Sequence, residues 1–139
     1  MKFIRKSKKI LIPAIFLILL ITLILSRVIK PDMKTQPIGT IEINEAVNHI
    51  GKVMNVCGQV SEAVYLQEIG GNPVFINFGG RNPNHTFSIV IWGRYHRNFS
   101  ERPDLLYSNS YMCVTGTIEE HRGKPQIIVE RQTQIEVSS

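Results

Sequence analysis

Signatures of catalysis and of metal binding are what this sequence most lacks. Its four histidines, His49, His85, His96 and His121, lie far apart with no i, i+4 pair, and its two cysteines form no Cys-x-x-Cys. No metal site is expected from such spacing, because zinc ligands cluster at short intervals on neighbouring elements. There is no Gly-x-Ser-x-Gly, no P-loop and no dinucleotide fingerprint. Glu119 and Glu120 are adjacent on an expected strand and so point to opposite faces, which unsuits them to paired acid–base work. The reading is of a protein that binds rather than catalyses, with no cofactor. Internal repeats and low-complexity tracts are also missing.

Acidic residues are absent from the first thirty positions, which hold seven of the sixteen Lys and Arg. Nine basic residues against eleven acidic ones remain in residues 31–139, a net charge of −2 beside the +5 of the whole chain. The basic balance therefore belongs to the N-terminus, and a global cationic footprint for nucleic acid is absent from the rest. Residues 10–29 are predominantly apolar and uncharged apart from Arg27. At about 1.5 Å per residue, roughly 20 helical residues cover the hydrocarbon thickness of a bilayer, and Arg27 can snorkel at its edge. Lys2, Arg5, Lys6, Lys8 and Lys9 precede this run, which predicts a cytoplasmic N-terminus and a domain outside the cytoplasm, periplasmic or extracellular. A cleaved signal peptide is the alternative, although the run is long for one and no Ala-x-Ala site follows. The expected organisation is a transmembrane signal anchor over 1–30, a linker over 31–40 and one domain over 41–139.

Within the domain the hydrophobic periodicity is mostly that of strands. Asn44 to Ile50 has helical spacing and stops at Gly51. Lys52 to Tyr65 reads as a long strand with Met54, Val56, Gly58 and Val60 on one face, its glycine marking a bulge or sharp coil. Residues 73–78 and 86–92 give a second and a third strand, separated by the loop-forming Arg81-Asn82-Pro83-Asn84-His85. Residues 94–107 read as an irregular helical connection broken near Pro103. A fourth strand over 110–120 repeats the pattern of the first, with Val114, Gly116 and Ile118 on one face. Arg122-Gly123-Lys124 makes a hairpin turn into a fifth strand over 125–129, and Ile135 to Val137 closes the chain.

Five strands with a glycine-coiled first strand and a helical connection between the third and fourth describe an OB-fold barrel. Cys57 and Cys113 then lie on the same side of neighbouring strands, so they form either a cross-strand disulfide or two small buried thiols. Strand geometry decides which. The order of Val56-Cys57-Gly58-Gln59-Val60, Pro73-Val74-Phe75-Ile76-Asn77-Phe78-Gly79, Phe87-Ser88-Ile89-Val90-Ile91-Trp92, Val114-Thr115-Gly116-Thr117-Ile118 and Gly123-Lys124-Pro125-Gln126-Ile127 resembles the small bacterial OB-fold nucleic-acid-binding domains of the anticodon-binding type. The resemblance covers roughly residues 41–137 and implies binding of single-stranded nucleic acid without catalysis.

In such barrels the ligand lies on the second and third strands and on the loops joining the first to the second and the fourth to the fifth. The face would draw on Tyr65, Phe75, Asn77, Phe87 and Trp92, and the loops on Arg81, His85, Arg122 and Lys124. Phe75, Phe87 and Trp92 are equally suited to the core, since alternation does not say which face meets solvent. Arg81 to Arg102, with Arg94 and Arg97, is the most cationic stretch of the domain and reads either as a backbone-tracking groove or as a solvated surface. Two functions follow as expectations: a membrane-tethered module for single-stranded nucleic acid, or an envelope module that binds a protein or glycan. A membrane-anchored haem-chaperone barrel shares the architecture, but its His-x-x-x-Tyr motif is missing here.

Overall fold

A computed structural model describes residues 15–21 and 36–138, which belong to separate compact units divided between Met33 and Lys34. In the first unit residues 15–21 form helix α1 with exposed side chains. The remainder of the apolar run over 10–29, and the basic residues that flank it, lie outside the described residues. Among the described residues no helix is long and apolar enough to cross a membrane.

The second unit is mainly β. Strands β1 (Thr40–Glu42), β2 (Val53–Tyr65), β3 (Val74–Phe78), β4 (Phe87–Ile91), β5 (Tyr111–His121), β6 (Lys124–Ile128) and β7 (Ile135–Ser138) follow in order. Strands β2, β3, β4, β6 and β5 pair in sequence, and β5 returns to β2, so these five close a barrel. β4 and β6 run parallel, and the other four pairs are antiparallel. That cycle is the strand order expected of an OB-like barrel, and closure removes the unpaired edges that an open sheet would leave. β1 and β7 add to the rim, β1 parallel to β2 and β7 antiparallel to β5.

Two helical segments lie where they are expected, with local detail added by the structure. Residues 40–42 are extended and pair with β2, and the helix that follows, Ile43–His49, is 3-10 rather than α. Glu45 caps its start by accepting from the Glu42 backbone N–H at 3.2 Å. The helical connection between β4 and β5 is interrupted just before Pro103, as expected: a 3-10 segment at Gly93–Asn98 ends, and Pro103 begins a second helix, α2 (Pro103–Tyr107). The first turn of a helix needs no N–H from its leading residues, so proline is suited to that position.

Alternation fills the barrel. Val56, Ile76, Phe78, Phe87, Ile89 and Ile127 are among the side chains buried inside, and the Phe78 and Phe87 rings sit 5.6 Å apart. Gly58 and Gly116 face the same interior where space runs out: a Cβ would come within 2.6 Å of Ile43 Cγ2 at the first and 2.5 Å of Ile127 Cγ2 at the second. Gly116→Ala is therefore expected to destabilise the domain by about 1–3 kcal/mol, the usual cost of overpacking a filled core. A urea midpoint unchanged from the parent protein would refute it.

The bulge lies at Ser61 and not at Gly58, where the register of β2 against β3 slips between Val60 and Glu62. Its consequence is large, because the side-chain period of a strand is two and one extra residue exchanges the faces. Before the bulge the even-numbered residues Met54, Val56 and Val60 point inward. After it Ala63 and Tyr65 pack on the core, while Glu62 and Val64 pass to the outside. The two halves of β2 also serve different partners, Val53–Gln59 pairing with β5 and Val60–Tyr65 with β3.

Cys57 and Cys113 stand directly opposite on the β2–β5 seam and are joined by a disulfide across a Cα separation of 4.0 Å. This resolves the two options left by the sequence, because the register places the two sulfur atoms in one cross-strand pair.

Candidate functional site

The outer face of β2, β3, β4 and β6 is organised in cross-strand rows. Glu62, Asn77, Ser88 and Gln126 are register partners and form one row. Val64, Phe75, Val90 and Ile128 form the next. A cleft of about 560 Å³ lies over the first row and over Val64 and Phe75 of the second, between Leu66 and Ile69 of the β2–β3 loop and His121, Arg122 and Lys124 at the β5–β6 hairpin. Its size is that of a small-ligand pocket. The hairpin turns tightly because Arg122 and Gly123 both adopt positive φ, 51° and 78°, as a two-residue connection requires.

The polar row is wired together. Ser88 Oγ donates to Asn77 Oδ1 at 2.8 Å, and Asn77 Nδ2 donates to Glu62 Oε2 at 2.9 Å. The same carboxylate oxygen accepts the Asn82 backbone N–H at 3.1 Å. These donors, first Asn82 and then Asn77, hold the Glu62 carboxyl below its usual range, with Arg81 and His85 adding to the effect. Asn77 and Ser88 are buried polar side chains whose bonds to each other offset their desolvation. Gln126 differs: its half-buried amide makes no hydrogen bond among the described residues, so a donor and an acceptor are free in the cleft.

One end of the cleft is closed. The β3–β4 loop folds back over the face, held to β2 by Asn82 on Glu62 and by the Gly80 N–H on Ser61 Oγ at 3.1 Å. On the far side Lys124 Nζ donates to the Pro83 carbonyl and so ties the same loop to β6. His85 lines this end with Nδ1 buried and unpartnered. Burial, followed by the nearby Lys124 charge, pushes the His85 pKa below its ordinary 6.5.

Acidification is therefore expected to weaken the fold. For His85 the unfolded chain takes up its proton first, so stability is full above pH 6.5 and is lost as pH falls through the depressed folded value. Glu62 adds a second loss below its ordinary 4.5, since its ionised form is the one held by hydrogen bonds. Urea unfolding compared at about pH 7 and about pH 5 should show the first loss, and His85→Gln should reduce it. Equal slopes for the two proteins would contradict this assignment.

Of the eleven residues expected from the sequence, Phe75, Asn77, His85, Arg122 and Lys124 line the cleft. Arg81 is exposed beside it, close enough to act on Glu62. Phe87 does not belong to the face: it is 0% exposed inside the barrel, because its parity on β4 is that of Ile89 and Ile91. Tyr65 is turned inward by the bulge at Ser61, packing edge-on to His96 at 5.5 Å with the Arg102 guanidinium 5.0 Å over its ring. Trp92 shares the parity of Ser88 and Val90 but is covered by the β2–β3 loop, where a Cβ on Gly71 would come within 3.0 Å of its ring.

The cationic stretch from Arg81 to Arg102 is thereby split. Arg81 and His85 accompany the cleft, whereas Arg94 and Arg97 are exposed on the 3-10 segment outside its lining. Arg94 stacks 4.7 Å over Tyr95, whose hydroxyl donates to Glu130 Oε1 at 2.7 Å. Arg102 is committed to Asp104 at 2.7 Å. Sequence reasoning missed Glu62, Val64, Ser88 and Gln126. For the first two the signal needed was the bulge, since unbroken alternation from Met54 places both inside. Among the described residues no group of three or more His, Cys, Asp or Glu is placed to hold a metal ion.

No protein-family model matches the chain, and no curated protein sequence matches it. Among solved structures it is similar to one assigned as an aspartyl-tRNA synthetase from Leishmania major Friedlin, with a TM-score of 0.44 and 12% identity. The match covers 78% of this chain and 21% of that one, so this chain spans a small part of that protein's length. At that distance the chemistry of the cleft rests on its own residues.

Proposed function

We propose that this chain is a membrane-tethered, OB-like binding module that takes single-stranded nucleic acid in the cleft on β3 and β4 and performs no chemistry on it. The observation that carries this reading is the sequence of surfaces along one face. Arg122 and Lys124 sit at the closed end, the hydrogen-bonding row Glu62–Asn77–Ser88–Gln126 follows, and the apolar row with half-buried Phe75 comes next. Phosphate, polar edges and a stackable ring are the features that those rows complement. A stacked base is worth about 1–3 kcal/mol, and each phosphate neutralised makes affinity fall with salt.

Tethering is supported by the apolar run over 10–29 and by the lysines and arginines before it, which favour a cytoplasmic N-terminus and a barrel outside the cytoplasm. In that compartment the ligand would be extracellular or incoming nucleic acid. The second reading, a module for an envelope protein or glycan, is favoured by the net −2 of residues 31–139.

Titration of the full-length chain in mild detergent with labelled single-stranded oligonucleotide separates the two. Binding that weakens steeply between about 50 and about 200 mM salt is expected for the first reading. Absence of binding at the lower salt, with a stable protein recovered from the membrane fraction, would favour the second.

A further inference from the structure

The cleft has a closed end, and its charge is gathered there. The β3–β4 loop is strapped across the face from Glu62 on β2 to Lys124 on β6, so a strand lying along β3 and β4 meets a wall. A continuous polynucleotide would have to leave over that wall, whereas a chain terminus would stop against it. The residues at the wall are Lys124, Arg122 and His85, with Arg81 beside them and Glu62 the one carboxylate in the lining. Glu62 already accepts two hydrogen bonds on one oxygen, which spreads its charge into the protein. From the level of Lys124 to that of Phe75 is about 13 Å, four residues of strand at roughly 3.3 Å each. That length, and a volume of about 560 Å³, suit one or two nucleotides rather than a long tract.

Resting on the nucleic-acid reading above, we propose that the cleft receives the phosphorylated end of a single strand, with the terminal phosphate monoester at the wall and its own base toward Phe75. A monoester carries close to two negative charges at neutral pH where an internal diester carries one. The wall supplies matching donors: Lys124 Nζ has N–H groups beyond the one given to Pro83, and the exposed Arg122 guanidinium presents a planar fork suited to phosphate. His85 Nδ1 is buried at this wall without a partner, and a dianion beside it would favour the protonated ring, as any opposite charge does. The free amide of Gln126 lies between wall and Phe75, in the row where sugar or base edges would pass.

The test compares three short single-stranded oligonucleotides of one sequence, carrying a 5′-phosphate, a 3′-phosphate or hydroxyls at both ends, against the full-length chain at fixed salt. One of the two phosphorylated strands is expected to bind about tenfold or more tightly than the hydroxyl strand, the worth of one or two charge-assisted hydrogen bonds. Arg122→Gln should weaken the favoured phosphorylated strand several-fold more than the hydroxyl strand and so remove most of the difference between them. Equal affinity for all three strands would overturn end recognition and leave the single-strand reading standing. Failure of every strand to bind would overturn both. A circularised oligonucleotide that binds as tightly as the best linear one would also overturn the proposal, because it has no end to seat.

Discussion

Reduction of the Cys57–Cys113 bond is expected to remove a large part of the domain's stability. The bond joins residues 56 positions apart on the seam where β5 returns to β2 and closes the barrel. In the chain-entropy picture a loop of that length restrains the unfolded state by about 4 kcal/mol, within the 2–5 kcal/mol that loss of a native disulfide costs a small domain. The net stability of such a domain is only about 5–15 kcal/mol, so the loss would be felt as a large fall in melting temperature. Urea unfolding of the protein with and without reductant, together with the Cys57→Ser/Cys113→Ser variant, measures it. A change below about 1 kcal/mol in both comparisons would show that the seam holds without the bond.

The second large effect separates two phenylalanines that the sequence alone treats alike. Phe87 lies wholly inside the barrel against Phe78, whereas Phe75, on the neighbouring strand, stands half-buried in the cleft. Phe87→Ala is expected to cost about 3–5 kcal/mol, through lost burial and the cavity left behind. Phe75→Ala should cost far less stability but lower oligonucleotide affinity about tenfold, the stacking contribution of one base. Unfolding curves and binding titrations on both variants give the comparison. If Phe75→Ala left affinity intact, the cleft would not be where the strand stacks. If Phe87→Ala unfolded at the parent's midpoint, the barrel's packing would be misassigned.

Much of the fold was legible in the sequence because strands announce themselves locally. Alternation over 86–92 and the turn pair Arg122-Gly123 depend on near neighbours, and β4 and the β5–β6 hairpin appear where these signals predict. The paired glycines were also readable, although their reason was not. Gly58 and Gly116 are required by approaches to Ile43 and Ile127, residues distant in sequence, and the bulge sits three positions beyond Gly58.

The site was less legible, for the same cause. Every residue of the face was present in a readable strand, but membership of a face depends on counting by two, and one bulge at Ser61 resets the count. Tyr65 was thereby exchanged for Glu62 and Val64. Phe87 needed only the register with β3, which pairs it with inward-facing Phe78. Arg122 and Lys124 come to the wall of the cleft because β6 lies beside β4 in parallel, a neighbour relation that spans the whole connection between them.

By itself, then, the sequence determined the number and order of the barrel strands, the hairpin turn, the uneven distribution of charge and the lack of catalytic motifs, all of which follow from local periodicity and composition. Tertiary structure decided which aromatic ring enters the core, that the two cysteines meet, and that a loop closes one end of the cleft. These outcomes depend on register and on a single extra residue in β2, and a chain can set register only when its strands are packed against one another.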